Sequence, residues 1–314
     1  MKRFLLLTAA LLIVGGATLH YHQLDVFLWQ HWKLSRQSLP DQAIDLSRYR
    51  VDIDALPLQG VDDDLSALTY NQERNSLFGL INGTPLLLEI SLDGEVLRRV
   101  RIEGTDDMEG LSHIGGNRYV IAEERRQRLL IIDLPDDVQT LDVSKAPRLT
   151  IAIDETGNKA FEGLSWDEKN QQLLVVRERD PLRVLIVKGF VNDESPSSHI
   201  DISEKSMFEE SKLFLSDLSS LTTDVVSGHL LLLSDESRMV VEYSPDGQAL
   251  SMLGLRRGFH GLSRTVPQAE GLAIDSQRRI YVVSEPNLFY RFVPIMEEGL
   301  SQQRIIRPPA KPAD

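Results

Sequence analysis

A chain of 314 residues that is 42% hydrophobic and 26% charged has the mix of a globular protein, and a closed all-β architecture of this length fits as one domain. Its net charge of −13 argues against nucleic acid, whose phosphates demand a basic face, and points to cations or basic partners. The absence of cysteine excludes disulfides, thiol nucleophiles, thiolate metal sites and a lipid-modified N-terminal cysteine.

The chain opens with Lys2-Arg3 and an apolar run from Phe4 to Leu19, as a cleaved signal peptide and a retained signal anchor both do. The run is short of the roughly 20 residues of a full span. Tyr21, Phe27, Trp29 and Trp32 follow at once, however, in the manner of an interfacial aromatic belt. No Ala-x-Ala cleavage site stands behind the run. The favoured expectation is a membrane anchor helix over residues 1–20 with its positive end in the cytoplasm; a cleaved signal is the second reading. Residues 21–47 read as a juxtamembrane connector. Within it Trp29 and Trp32 either belong to a short helix lying on the membrane or pack under the domain that follows.

From Tyr49 to Asp54 apolar and polar residues alternate, the signature of a half-buried strand. One short phrase then recurs five times: Asp64-Leu-Ser-Ala-Leu68, Glu109-Gly-Leu-Ser112, Glu162-Gly-Leu-Ser165, Asp217-Leu-Ser-Ser-Leu221 and Glu270-Gly-Leu-Ala273. The leading acids are 45, 53, 55 and 53 residues apart. Periods of about 40–50 residues built of short strands belong to β-propeller blades. The expected fold is therefore all-β, a five-bladed β-propeller over residues 48–306. Tyr49–Asp54 is placed to complete the last blade, because an unpaired edge is a liability.

A second phrase follows each first one by 15–19 residues: Asn82-Gly83, Glu123-Glu124, Arg177-Glu178, Asp235-Glu236 and Glu285-Pro286. That distance suits a strand, a turn and the next strand, so an antiparallel hairpin brings both phrases to the same end. Asn82-Gly83 and Asp93-Gly94 are strong hairpin turns in the first blade. Two polar inserts interrupt the series. Asn192–Leu213 reads as a surface loop with a short helix, and Gly254–Arg264 gathers three arginines with His260. The tail, residues 307–314, is rich in proline and expected to be disordered.

Nine carboxylates thus converge on one channel mouth: Asp64, Glu109, Glu124, Glu162, Glu178, Asp217, Glu236, Glu270 and Glu285. Like charges crowded in a funnel raise one another's pKa unless something neutralises them. A hard cation such as Ca²⁺ takes six to eight oxygens and tolerates irregular geometry, whereas zinc would want His or Cys, which the phrases lack. Each acid taken alone reads equally well as a cap on backbone N–H groups. Nucleophilic catalysis has little support, since there is no Gly-x-Ser-x-Gly elbow and His113 reads as a strand residue. Arg125, Arg177, Arg179, Arg238 and Arg264 lie near the acids, as ion-pair partners or, in a hydrolase, as phosphate ligands.

Several stretches resemble the SdiA-regulated family of bacterial envelope proteins, of the YjiK/CarP type. They are Leu231–Arg238, Gln268–Asp275, Tyr281–Phe292, Phe161–Ser165 and Ala122–Arg125. The resemblance implies a five-bladed propeller, distantly NHL-like, set outside the bacterial inner membrane in the periplasm. It also implies a calcium site at the matching acids: Glu109, Glu162, Asp217, Glu270, Glu124, Glu178, Glu236 and Glu285, with Asp64 a looser match. The expected function is calcium sensing or homeostasis, or an interaction platform, and not chiefly that of an enzyme. The alternative is a Ca²⁺-dependent, phytase-like phosphohydrolase or lactonase.

Overall fold

The computed structural model describes residues 23–151, 161–179, 181–191, 199–205 and 213–295, with single residues at 4, 8, 14 and 16. The expected anchor over residues 1–20 and the tail over 307–314 therefore lie, but for those single residues, outside the described residues. Among the described residues no helix is long and apolar enough to cross a membrane. The chain divides into two compact units, residues 1–39 and 40–314. The first contains helix α1 (Leu24–Leu34).

The second unit is a five-bladed β-propeller whose blades follow one another in sequence. Strand β1 (Tyr49–Pro57) comes first and is taken up again below. Blade one holds β2 (Leu65–Asn71), β3 (Ser76–Ile81), β4 (Leu86–Ile90) and β5 (Val96–Glu103). Blade two holds β6 (Met108–His113), β7 (Arg118–Glu123) and β8 (Arg128–Asp133). The next strand, β9 (Thr140–Asp142), crosses over to pair in parallel with β5, and β10 (Arg148–Thr150) returns to edge blade two. Blade three holds β11 (Phe161–Asp167), β12 (Gln172–Arg177), β13 (Arg183–Lys188) and β14 (Asp201–Glu204). Blade four holds β15 (Ser220–Thr223), β16 (Leu230–Ser234), β17 (Met239–Tyr243) and β18 (Ala249–Gly254). Blade five holds β19 (Ala269–Ile274), β20 (Ile280–Ser284) and β21 (Leu288–Pro294).

Strand β14 corrects one expectation. It lies inside the Asn192–Leu213 insert, where a loop with a short helix was expected, and pairs antiparallel with β13, Ile202 opposite Val187. All four of its residues are exposed, so burial gives no pattern to read. Its pairing instead covers the open edge of β13. The remainder of the insert, residues 192–198 and 206–212, lies outside the described residues.

Ring closure follows the alternation seen in the sequence. β1 lies antiparallel to β21, with Tyr49 opposite Pro294 and Pro57 opposite Leu288. Val51 and Ile53 are fully buried, while Asp52 faces outward to an ion pair with Arg291 at 2.8 Å. Blade five is therefore built from both ends of the unit. The core lies between blades. Leu231 and Val240 of blade four pack with Leu272, Val282 and Tyr290 of blade five, and Phe78 and Leu80 of blade one pack with Leu111 and Tyr119 of blade two.

The innermost strands touch in a circle, β2 to β6, β11, β15, β19 and back to β2. Side-chain hydroxyls stitch neighbours together at a repeated position. Thr69 Oγ1 accepts the His113 N–H at 3.1 Å, Ser112 Oγ that of Trp166 at 2.8 Å, and Ser165 Oγ that of Thr223 at 3.1 Å. The Ser of the recurring phrase is thus an inter-blade hydrogen bond. Its Gly is a close approach. A Cβ on Gly163 would stand 2.9 Å from the backbone of Ser220 and Leu221, and one on Gly271 2.4 Å from Val283 Cγ2 and 2.9 Å from the Ala67 carbonyl carbon. Gly271→Ala is expected to lower stability by about 1–3 kcal/mol, the usual cost of overpacking, as a lower urea midpoint. An unchanged midpoint would mean that the blades have room to part.

Candidate metal centre

The acids of the first phrase owe their direction to a local irregularity. In blades two, three and five the inner hairpin slips register by one residue, between Met108 and Gly110, Phe161 and Gly163, and Ala269 and Gly271. The residue left over in each is the glutamate: Glu109, Glu162 and Glu270. A β-bulge inserts one unpaired residue and re-aims its side chain. Here it turns three carboxylates into a cavity of about 300 Å³ at the mouth of the channel, where Glu178, Asp217, Glu236 and Glu285 also line the wall.

The same register shows that the five phrases are not aligned as their spelling suggests. Blade one bulges at Ser66, between Leu65 and Ala67, and blade four places Ser219 just before Ser220, the partner of Leu233. Serine stands at the position of the bulge glutamate in those two blades. Asp64 and Asp217 stand two residues earlier, level with Asp107 of blade two, which sequence reading passed over. The second phrase needs a similar adjustment. The N–H of Asn82, Glu124 and Glu285 donates to the carbonyl of Asp64, Asp107 and Gln268, at 3.1, 3.0 and 3.0 Å. The matching residue of blade four is Asp235, one before Glu236, because Ser234 is level with Ser284. Aligning those two serines would have found it.

Partners sort the nine acids into kinds. Glu178 and Glu236 share Arg179, whose guanidinium pairs with both, the latter at 2.7 Å. Asp217 is a cap. It accepts from Ser234 Oγ, from Ser219 Oγ at 3.2 Å and from the Glu236 N–H at 3.2 Å. Glu109 accepts one hydrogen bond from Asn82 Nδ2. Carboxylate oxygens of Glu109, Glu124 and Asp107 lie within 4.8 Å of one another. Asp107 also pairs with Arg125 at 3.4 Å, and Asp235 accepts the Ala269 N–H at 2.8 Å beside Arg238. Asp64 is exposed at the rim, close enough to Glu285 for its charge to be felt there.

The bulge glutamates carry the electrostatic strain of the mouth. Burial, then the charges of Glu124, Asp107 and Glu285, push Glu109 up to about 8, against the modest pull of Asn82. Burial, then Asp235, Glu285, Glu109 and Asp217, push Glu270 up to about 9. Glu162 is raised well above the usual carboxylate range by burial and by Glu109, Glu124, Glu270 and Glu178. Asp217 and Glu285 are raised too, burial again leading. Arg179 stays firmly charged: burial opposes its charge, but Glu178 and Glu236 outweigh it.

The opposite mouth differs in character. A cavity of about 520 Å³ there is lined by Ser112, Ser165, Thr223, His113 and Trp166, with Glu73 and Glu168 at hand. Its hydroxyls are those already engaged between blades. His113 ends β6, and its Nε2 sits 3.3 Å from Glu73 and 2.9 Å from the Gly116 carbonyl oxygen. His260, in the Gly254–Arg264 insert, holds the Tyr49 carbonyl through Nδ1 at 2.8 Å.

The profile of the SdiA-regulated family matches residues 41–293, the whole propeller. The chain belongs to the SdiA-regulated family. Solved structures similar to this SdiA-regulated protein are more distant. A luciferin-regenerating enzyme is 12% identical over 81% of this chain and 99% of its own, with a TM-score of 0.49. A chain of a nidogen/laminin complex is 13% identical over 70% of this chain and 72% of its own, TM-score 0.45. The β-propeller domain of Myceliophteria thermophila Cps50 (Swd1) is 10% identical over 78% and 71%, TM-score 0.40. Likeness at that level carries no functional information.

The raised carboxyls set a pH dependence. In the unfolded chain they titrate near 4.5, and in the folded, cation-free mouth Glu109 and Glu270 titrate near 8 and 9. A group whose pKa rises on folding stabilises below its unfolded value and loses that contribution as pH climbs through the folded one. Stability in EDTA is therefore expected to fall from pH 5 to pH 9, by no more than about 1.4 kcal/mol per pH unit for each group. Melting temperatures across that range check it, and a curve that stays flat or rises would contradict the raised carboxyls.

Proposed function

We propose that this SdiA-regulated protein is an envelope-anchored propeller that binds Ca²⁺ at its acidic mouth, as a calcium sensor, buffer or interaction platform. The observation that carries this reading is the trio Glu109, Glu162 and Glu270, aimed by bulges into one small cavity, with carboxyls raised first by burial and then by the charges of neighbouring acids. Among the described residues Arg179 is the one cationic side chain lining that cavity, and it is committed to Glu178 and Glu236. Among the described residues the trio is left without a counter-charge. The donor set is all oxygen, hard and irregularly spaced, which suits calcium better than zinc or octahedral magnesium.

In this reading Glu109, Glu162 and Glu270 hold the ion, with Glu124 and Glu285 beside them. A bound calcium ion would supply the positive charge that lets Glu109, Glu162 and Glu270 ionise at neutral pH. Asp217 caps the blade-four turn, and Glu178 with Glu236 anchors Arg179 as the mouth's internal counter-ion. Asn82 orients Glu109 from blade one. The hydrolase alternative needs an arginine free to hold a phosphate at the acids. Of the five arginines near them only Arg179 lines the cavity, and it is paired with Glu178 and Glu236; Arg125 and Arg238 are paired with Asp107 and Asp235. Binding is therefore favoured over turnover. The apolar run Phe4–Leu19 behind Lys2-Arg3 would hold the propeller at the inner membrane, on its periplasmic side.

A ligand that binds only the folded state raises its melting temperature by mass action. Millimolar Ca²⁺ is expected to raise it by several degrees over EDTA at pH 7, and Mg²⁺ by much less. Glu162→Gln or Glu270→Gln should erase the calcium increment while raising the EDTA baseline, because each removes a carboxyl that must take up a proton on folding at pH 7. Identical melting curves in Ca²⁺ and EDTA would sink the proposal. Arg179→Gln has the opposite signature. Removing a like charge beside the ion should tighten calcium binding several-fold, in keeping with charge pairs near a protein surface, and should lower stability in EDTA. Calcium affinity unchanged in Arg179→Gln would place the ion away from this mouth.

A further inference from the structure

Helix α1 presents two stripes of opposite kind. Phe27 and Leu34, seven residues apart, are buried, and His31 stacks on Phe27 between them. Leu28, Trp29, Trp32 and Arg36 follow the i, i+1, i+4, i+8 spacing of a second stripe, and there the large side chains are bare. Leu28 is 49% exposed, Trp29 59% and Trp32 47%. Tryptophan is seldom so open to water, and two of the chain's three tryptophans are here. Their rings stack at 5.2 Å, and the Arg36 guanidinium lies over the Trp32 ring at 4.8 Å.

The polar groups around this stripe grade from one end to the other. Asp25 opens the helix, where a negative charge suits the dipole, and His31 and Lys33 close it, with Arg36 just beyond. The helix has no side-chain cap at Gln23 and only 11 residues, below the length at which an isolated helix holds in water. Four residues, His20 to Gln23, separate it from the end of the apolar run at Leu19.

We infer that α1 is an interfacial helix, lying in the phospholipid headgroup layer with Leu28, Trp29 and Trp32 turned into the boundary of the acyl chains. Amphipathic rings are favoured at that depth, and cationic side chains beside them reach back to lipid phosphates. Charge complementarity selects the lipid surface. The stripe's C-terminal end is cationic in a chain of net charge −13, so its own charge draws it to anionic headgroups. Chain continuity selects it again. Any bilayer holding Phe4–Leu19 has α1 at its surface, and in this respect the inference rests on the anchoring proposed above.

The three tryptophans make the test direct. The full chain is reconstituted into phosphatidylcholine–phosphatidylglycerol vesicles with or without bromine on the upper acyl carbons, which quenches tryptophan on contact. Trp166→Phe leaves only the α1 pair emitting; Trp29→Phe/Trp32→Phe leaves only Trp166, in the propeller. Emission of the first is expected to be blue-shifted and to drop about twofold or more in brominated vesicles, as for rings at the acyl boundary, while the second stays unquenched. Should Trp166→Phe fail to fold, the wild-type spectrum minus that of the double variant reports the same pair. Protein that floats with the vesicles but keeps unquenched α1 emission overturns this inference and leaves the anchor standing. Protein that does not float overturns the anchor, and the inference with it.

Discussion

Five inner strands meeting around one axis come so close that side chains cannot be accommodated everywhere between them. The structure resolves this with glycine at Gly163 and Gly271, where a Cβ would meet the next blade's backbone. A register slip accompanies each glycine, and the slip leaves the preceding glutamate unpaired. Close packing and the acidic mouth are thus two consequences of one local device. Ser112 and Ser165 complete it by fastening the same strand to its neighbour. The phrase Glu-Gly-Leu-Ser is architecture in its last three residues and charge in its first.

Charge is what the architecture leaves unresolved. Other buried acids find partners: Glu123 is fully buried, yet Arg126, Arg128 and Thr105 surround it and keep its pKa low against the cost of burial. Glu242, equally buried, accepts from the Ile44 and Asp45 N–H groups, Ser251 and His229, and so binds the chain entering the propeller to blade four. Among the described residues the bulge glutamates have no cationic partner, and Glu109 has only the amide of Asn82. Buried carboxylates without counter-charges take up protons or a cation, and under the proposed reading a cation bound there would add stability. Arg179 meets this need for one side of the mouth only.

Much of this was legible in the sequence, and the failures have physical causes. Blade number, ring closure by Tyr49–Asp54 and the identity of the bulge glutamates could all be read, because period, alternation and a repeated spelling each report them. Register could not. Asp64 and Asp217 look like the glutamates because an acid precedes Leu-Ser, but a one-residue bulge is invisible to spelling and the true equivalents are Ser66 and Ser219. Asp107 and Asp235 were missed for the same reason. Strand β14 was hidden because a fully exposed edge strand has no hydrophobic period to betray it. The ion pairs that set Glu178 and Glu236 apart depend on Arg179 reaching across blades, which only the fold reveals.

The central claim is that protonated glutamates at the mouth give up their protons to calcium. Calorimetric titration of the protein with Ca²⁺ at pH 7, repeated in two buffers of different ionisation enthalpy, measures both events at once. Metal binding to ligands that must ionise releases protons. The account predicts saturable binding, weak or absent with Mg²⁺, and an observed enthalpy that changes with buffer by an amount corresponding to more than one proton released per ion. No binding would return the whole ring of acids to architecture. Binding with no buffer dependence would mean that the ion sits elsewhere, on carboxylates already ionised.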